Sequence, residues 1–235
     1  MVRPVLEVVV TGPGDAAGAQ EGGADRVEVV ADIERDGLTP GVTTVRDLRA
    51  ATDLPLRVML RANGGFATSG SELTRLQGAA RAMLSAGADG FVLGFLAPNL
   101  DLDTDAILAL VGQLDGLPWT LHRAIDHALD HDRAWQRTRE LPGLDTVLTA
   151  GSPRGVSVGL DALCARAAAD PRVAGLVMAG GGLAPEHVPW LARAGVRKFH
   201  LGRPVRPGGS YKAYVDAALV RSWRTLVDDA VAAAL

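Results

Sequence analysis

Short apolar runs alternate with amphipathic stretches along the chain, and a small residue followed by glycine recurs where one gives way to the other. The junction at 22–30 reads GGADRVEVV, and related junctions return at 86–93 (AGADGFVL) and at 194–201 (AGVRKFHL). Glycine adopts the left-handed conformation that ends a helix without a Cβ penalty. The apolar run that follows suits a strand buried on both faces. The repeated junction therefore predicts helices that return to a parallel sheet.

This pattern predicts eight strands with helices between them. The predicted strands are Leu6–Val10, Arg26–Val30, Leu56–Arg61, Gly90–Gly94, Trp119–Arg123, Thr146–Thr149, Gly175–Ala179 and Lys198–Gly202. Helical spacing of apolar residues predicts helices near Asp15–Glu21, Thr43–Ala51, Ser71–Ala86, Thr104–Leu114, Arg133–Leu141, Gly159–Ala169, Glu186–Ala194 and Lys212–Ala233. Eight such repeats predict a single-domain α/β fold, the (β/α)8 TIM-type barrel with eight parallel strands. The alternative is an open doubly wound sheet, but residues 11–14 (TGPG) lack the GxGxxG spacing that it requires.

Composition and charge narrow the class of protein. The chain has 235 residues, 48% of them hydrophobic, which fits one barrel domain over residues 1–235. A net charge of −3 without a basic tract argues against nucleic acid and anionic membranes as partners. The single cysteine, Cys164, excludes an intrachain disulfide and favours a reducing compartment. Glu7 interrupts the first apolar run and no run approaches the roughly 20 residues of a membrane helix, so we expect a cytoplasmic protein.

Polar residues interrupt the predicted strands mostly near their C-terminal ends, where the active sites of such barrels lie. The candidate catalytic residues are Glu7, Glu28, Arg61, His122, Arg123, Asp126 and His200. Ionised groups are costly inside a barrel unless they are paired. Because these residues converge from several strands, we favour a ligand site over the other interpretation, a salt-bridge cluster that only closes the barrel.

The loops after the last strands predict an anion site. Three consecutive glycines follow the seventh predicted strand, and Gly202-Arg203 follows the eighth, where barrels often bind phosphate through backbone N–H groups. The candidate ligand-binding residues are Thr149, Gly180, Gly181, Gly182, Gly202 and Arg203. The expected partner is therefore a small anionic molecule or phosphate.

Other chemistry receives less support. His127 and His131 share one face if their segment is helical, and such a pair can bind zinc, but a third ligand and HExxH are missing. A helix capped by aspartate, with solvated histidines, is the simpler interpretation. GxSxG is absent and Cys164 lies in a predicted helix without a partner histidine, which argues against nucleophilic catalysis. Residues 61–70 form either a loop that closes over a ligand or a plain surface loop.

Several stretches together resemble the CutC copper-homeostasis family. They run in order along most of the chain: LEV at 6–8, GGADRVE at 22–28, GLTP at 37–40, Arg61 with Gly64-Gly65, ADG at 88–90, HRAID at 122–126, VLT at 147–149, MAGGG at 178–182 and Phe199-His200. The resemblance implies a TIM-barrel-like fold, a cytoplasmic location, self-association into a homo-oligomer and copper as the bound ion. It leaves the metal-binding residues of this chain unassigned.

The chain departs from the family pattern where sulfur is expected. The family often carries cysteine in the first strand and just after the glutamate of the second, where this chain has Val9 and Val30. Cu(I) prefers thiolate and thioether ligands. Cys164, Met59, Met83 and Met178 lie on separate predicted elements.

Three hypotheses therefore stay open. The resemblance implies copper handling. The residue chemistry favours an enzyme or binder of a small anionic molecule, with Glu7 or Glu28 as general base, His122 as acid or base, and Arg61 and Arg123 on the anion. The third is a structural or interaction protein without ligand chemistry.

Overall fold

A closed barrel of eight parallel strands forms the centre of the computed structural model, which describes residues 3–235. Each strand pairs with the next in sequence, and the last pairs back to the first with Leu6 opposite Phe199. The strands are β1 (Val5–Val10), β2 (Arg26–Val29), β3 (Leu56–Met59), β4 (Gly90–Leu93), β5 (Trp119–Leu121), β6 (Leu144–Thr149), β7 (Val177–Ala179) and β8 (Lys198–Leu201). The predicted (β/α)8 barrel is confirmed, and its closure rules out the open sheet.

Helices follow the strands around the outside of the barrel. They are α1 (Pro13–Gly22), α2 (Val42–Ala51), α3 (Gly70–Ser85), α4 (Thr104–Val111), α5 (His131–Thr138), α6 (Val156–Ala169), α7 (Pro171–Leu176), α8 (Val188–Arg193) and α9 (Ala217–Ala232). Within residues 3–235, no helix combines the length and the apolar character that crossing a bilayer would require.

The two faces of each strand carry different chemistry. In β1, Leu6, Val8 and Val10 belong to the large core between strands and helices, whereas Val9 belongs to a small separate cluster with Val30, Met59 and Val92. Side chains alternate between the faces of a strand. Glu7 therefore shares the inner face with Val9, and charged groups occupy the inside of a barrel that usually holds branched apolar residues.

Several predicted boundaries were wrong by two residues or more, and the clearest causes are local. The third strand ends at Met59 rather than Arg61, and the fifth ends at Leu121 because His122 caps a short 3₁₀ helix, Arg123–His127, by accepting from the N–H of Ala124. The seventh strand was predicted from Gly175. Asp170 and Pro171 instead start α7, with proline at the first helical position.

The last helix also starts later than predicted. It begins at Ala217, where the Asp216 carboxylate caps the N–H of Leu219, rather than at Lys212. The preceding residues form two short 3₁₀ helices, Arg203–Val205 and Pro207–Gly209. This irregular segment crosses the C-terminal end of the barrel.

Candidate functional site

A cavity of about 390 Å³ opens at the C-terminal ends of the strands. It is near the lower end of the range for small-molecule sites, roughly 300–1,000 Å³. The predicted residues that line it are Glu28, Arg61, His122, Arg123, Gly181, Gly182, His200, Gly202 and Arg203. The apolar part of its wall comes from Val9, Ile33, Met59, Phe66, Leu148 and Leu183. Four predicted residues, Glu7, Asp126, Thr149 and Gly180, are not among those that line it.

Glu7 lies beneath the cavity and is fully buried. Its Oε2 accepts from Arg26 Nε at 2.5 Å, and its Oε1 is 2.8 Å from His200 Nδ1. The three residues meet because Arg26 and His200 are the register partners of Glu7 on β2 and β8. Burial by itself would raise the pKa of Glu7, but Arg26 and His200 together lower it to about 2. Glu7 is therefore a fixed negative charge and not a proton carrier near pH 7.

Glu28 lies at the floor of the cavity and is less well paired. Its Oε2 is 3.7 Å from His200 Nε2, and its Oε1 is buried without a hydrogen-bond partner among residues 3–235. Burial raises the pKa of Glu28 to about 7, with His200 opposing and Glu7 reinforcing the shift. A carboxyl group with this pKa can both give and take a proton near neutral pH.

His200 bridges the two glutamates. Burial lowers the pKa of its imidazole, but Glu28 and Glu7 outweigh burial and raise it above 6.5. Each ring nitrogen faces one carboxyl group, and this arrangement favours the protonated imidazole.

His122 contributes a neutral imidazole. Its Nδ1 accepts from the N–H of Ala124 at 3.2 Å, and its Nε2 is buried without a hydrogen-bond partner in the described chain. Burial and the charge of Arg61 lower the pKa of His122 to about 3. The ring is 5.5 Å from Phe66, centroid to centroid. Because Nδ1 accepts, the proton of the neutral ring lies on Nε2, which is then a free donor.

Arg61 connects two loops at the rim of the cavity. Its guanidinium donates to the carbonyls of Gly64 and Gly65 in one loop and faces those of residues 35–37 in the other. It also lies 4.9 Å from the Phe66 ring. Because these carbonyls accept hydrogen bonds from the guanidinium, Arg61 holds the two loops of the rim together. An anion in the cavity would therefore bind to other cations.

Arg123, which is half-buried, and the buried Asp126 form an ion pair beside the cavity. Arg123 Nε donates to Asp126 at 2.9 Å, and Asp126 also accepts from the Thr149 hydroxyl at 2.5 Å and from the N–H of Ala150. Thus Asp126 and Thr149 position Arg123 and do not line the main cavity. Gly181 has φ +87°, and a Cβ there would lie 2.7 Å from Arg123 Nε, so only glycine allows this approach.

The loop after β8 brings Arg203 and Tyr211 to the rim. The guanidinium of Arg203 is exposed and lies 5.1 Å from the centre of the Tyr211 ring. A Cβ on Gly202 would collide with the Tyr211 hydroxyl. The rim therefore carries two cations with access to the cavity, Arg123 and Arg203.

His127 and His131 do not form a helical pair. His127 ends the 3₁₀ helix and stacks on Phe66 at 4.7 Å, whereas His131 starts α5 with its Nε2 3.2 Å from the Asp126 carbonyl. Asp130 caps α5 through the N–H of Arg133, as the simpler interpretation predicted.

Sequence reasoning missed three residues of this region, namely Arg26, Phe66 and Tyr211. Arg26 carried a usable signal, because it lies two residues from Glu28 and so shares its strand face. The positions of Phe66 and Tyr211 depend on loop conformation, which gave no periodic signal.

Comparisons with known proteins agree with this fold. A sequence model described as the CutC family matches residues 4–204. A family protein CutC from Xanthomonas campestris pv. campestris is 34% identical over 198 residues, covering 83% of this chain and 81% of the relative. The human copper homeostasis protein cutC homolog is 30% identical over 208 residues, covering 87% and 76%. The crystal structure of a CutC protein from Streptococcus agalactiae superposes with a TM-score of 0.75 at 23% identity, covering 85% of this chain and 98% of that one.

Proposed function

This chain belongs to the CutC family of copper homeostasis, and from its cavity we propose that it binds a small anionic molecule and exchanges a proton with it through Glu28. One observation carries the proposal. Glu28 Oε1 and His122 Nε2 are both buried without a hydrogen-bond partner among residues 3–235, and both residues line the same cavity. An unpartnered buried polar group is costly, and such groups in one cavity are typical of a ligand site.

The charges around the cavity favour an anion as the ligand. Arg123 and Arg203 reach the rim, and at the floor two carboxyl groups favour the protonated form of His200. Gly181 and Gly182, with φ of +87° and +83°, keep backbone without side chains next to Arg123. A guanidinium that approaches an anion together with open backbone is a common arrangement for carboxylate or phosphate recognition.

The pKa values of these residues indicate a different role for each of them in the proposed chemistry. Glu28, with a pKa of about 7, is the proton carrier, and neutral His122 is a hydrogen-bond donor to an oxygen of the ligand. Glu7, with a pKa of about 2, keeps His200 charged and so stabilises negative charge on the ligand. Arg61 acts through the two loops that it connects.

Calorimetric titration with sulfate tests this proposal, because sulfate does not titrate near pH 7. We expect binding with proton uptake at pH 7 in buffers of different ionisation enthalpy, since an anion beside Glu28 raises its pKa further. Glu28→Gln should abolish the proton uptake, and Arg203→Gln should weaken binding by about tenfold. Arg193→Gln is the matched control, because Arg193 packs on Trp190 at 5.2 Å just as Arg203 packs on Tyr211. No saturable sulfate binding, or equal loss in both arginine variants, would refute an anion site here.

Copper is the second candidate ligand, and one cluster of metal-ligating side chains supports it. Ligand atoms of Glu7, Glu28 and His200 lie within 4.8 Å of one another. Both Glu7 oxygens are, however, engaged by Arg26 and His200, and the raised pKa of His200 disfavours metal binding through its ring nitrogens. The remaining donors are hard, whereas Cu(I) prefers sulfur. This donor set does not fit Cu(I).

A cysteine replacement tests the copper hypothesis directly. Val9 and Val30 share one buried cluster with Met59, so Val9→Cys with Val30→Cys would add two thiolates beside a thioether. We expect the double variant to take up one Cu(I) per chain under reducing conditions. The unaltered chain should bind no tighter than a His200→Ala, Met59→Ala variant. Tighter binding by the unaltered chain would instead favour copper as its cargo. Self-association and a cytoplasmic location, which the family resemblance implies, stay predictions.

A further inference from the structure

The segment that crosses the barrel mouth after β8 lies almost entirely outside the family match, which ends at residue 204. We refer to residues 203–216 as the C-terminal strap. Tyr211 is its half-buried aromatic residue, and it lines the anion cavity. This part of the site is therefore supplied by residues that the family match does not include.

The strap is held firmly on the barrel. Arg206 donates to both carboxylate oxygens of Asp15, at 2.9 and 2.8 Å, and to the carbonyls of Val9 and Ala213. Both side chains of this ion pair are almost fully buried. Asp15 also accepts from the N–H of Val215. The pair thus fixes both the start and the end of the strap.

This anchoring also fixes the ring of Tyr211. The ring lies 5.1 Å from the guanidinium carbons of both Arg203 and Arg206, one at the rim and one in the buried pair. Its hydroxyl occupies the space that a side chain at position 202 would need. Tyr211 is consequently a rigid wall and not a surface side chain.

A second cavity of about 400 Å³ adjoins that wall, because Tyr211 and Ile33 line both cavities. The second cavity also carries oxygen-bearing side chains, those of Thr11, Asp32, Glu34 and Thr44. Hydroxyl or amine groups on a ligand could bind there, but its anionic end could not.

Resting on the proposed anion site, we propose that Tyr211 is a specificity-determining residue that separates the two cavities and confines the ligand to the anion cavity. With the ring in place, a ligand bound through its anionic group contacts the anion cavity alone. Without the ring, the two cavities join, and the hydroxyl-rich tail of a longer anion also contacts the second cavity. The substrate class is therefore a carboxylate or phosphate ester small enough for a cavity of about 390 Å³.

Two phosphate esters of different length test this inference at pH 8, where both are dianions. Methyl phosphate is short, and ribose 5-phosphate is long and rich in hydroxyl groups. In Tyr211→Ala the hydroxyl-rich tail gains the second cavity, so we expect the affinity for ribose 5-phosphate to rise about tenfold relative to that for methyl phosphate. Tyr211→Phe should keep the ratio of the two dissociation constants found in the unaltered chain, because only the ring forms the wall.

Tyr214→Ala is the matched control, since Tyr214 belongs to the same strap but is 74% exposed and lines neither of the two cavities. It should leave the ratio unchanged. Ile33→Ala opens the wall from the other side, so it replaces Tyr211→Ala if the latter does not fold. An unchanged ratio in a folded Tyr211→Ala or Ile33→Ala variant, with methyl phosphate still bound, would overturn the role of Tyr211 alone. Absence of binding of sulfate and both esters to the unaltered chain would overturn the anion site and this inference together.

Discussion

The inside of this barrel carries charge at both ends, and the two ends are built differently. At the N-terminal ends of the strands, Arg57 forms two hydrogen bonds with the Asp145 carboxylate, at 3.2 and 2.5 Å. Lys198 Nζ donates to the carbonyl of Asp145 at 2.6 Å and to the Thr146 hydroxyl at 3.3 Å. At the C-terminal ends, Glu28 and His122 each keep a buried polar atom that has no hydrogen-bond partner in the described part of the chain.

The two ends differ in whether their charged and polar groups are fully paired within the protein, as in a structural ion pair, or are left incompletely paired, as in a ligand site. Desolvation is offset at the N-terminal end because its groups satisfy one another. At the mouth the same kinds of residue are left incompletely paired beside a cavity, and that cost is a reason to expect a ligand. Glu7 and Arg26 belong structurally with the first group, although they lie directly beneath the second.

The largest expected effect comes from breaking the ion pair of Glu7 and Arg26, which lies between the two ends of the barrel. Arg26→Met removes one of the two charged partners of the buried Glu7 carboxylate and leaves His200, so we expect the free energy of unfolding to fall by about 3–5 kcal/mol in urea denaturation. Adding Glu7→Gln should restore most of that loss, because the buried charge then disappears too. A loss below about 1 kcal/mol in the single variant would mean that this pair does not support the barrel.

Replacing Glu28 should instead raise the free energy of unfolding at pH 8. The folded-state pKa of about 7 exceeds the ordinary value of 4.5, so the folded chain keeps a proton that the unfolded chain releases between these pH values. Stability from this group is consequently lost as pH rises from 4.5 to 7. We expect Glu28→Gln to be more stable than the unaltered chain at pH 8, by about 1–3 kcal/mol, with no gain at pH 4.5. Equal pH dependence of unfolding in the two proteins would contradict this.

The glycines at the rim allow a finer comparison. Gly181→Ala and Gly182→Ala each place a side chain at positive φ, at a cost of about 1–2 kcal/mol. Only the Cβ at 181 contacts Arg123, since a Cβ at 182 has no atom within 4 Å. Sulfate titration should therefore show a weaker affinity for Gly181→Ala than for Gly182→Ala. Identical affinities would show that displacing Arg123 does not matter.

The smallest effect is expected at the N-terminal end of the barrel. Asp145 is 41% exposed on its side chain, so the stability that its pair with Arg57 contributes is screened by solvent. Asp145→Asn should lower the free energy of unfolding by about 1 kcal/mol and leave sulfate affinity unchanged. A change in sulfate affinity would show that the two ends are coupled and not independent.

Most of the barrel could be predicted from local pattern, and the errors share a cause. The strands at Leu6, Arg26 and Lys198 begin where or close to where the sequence indicates, because alternation and glycine junctions are local signals. His122 and Pro171 instead start new elements through capping and proline geometry, which override an apolar run.

The sequence predicted which residues belong to the candidate site better than it predicted what each residue does there. Proximity to strand ends indicated Glu28, His122, His200, Arg123 and Arg203, and these residues do line one cavity. That Glu7 lies beneath it, and that loop carbonyls occupy Arg61, depends on which neighbours complete each hydrogen-bonding group. A sequence of residue types does not contain that information.

By itself, the sequence determined the closed parallel barrel and the end of the barrel where the polar groups meet. It also showed that positions 9 and 30 carry valine and so offer no thiolate to a metal. These follow from periodicity and residue chemistry, which act over a few residues. Only the tertiary structure decided that Glu7 is ionised while Glu28 has a pKa of about 7, and that Tyr211 lies between two cavities. Those properties depend on burial and on partners distant in the chain, because desolvation and pairing are set by the whole surroundings of a group.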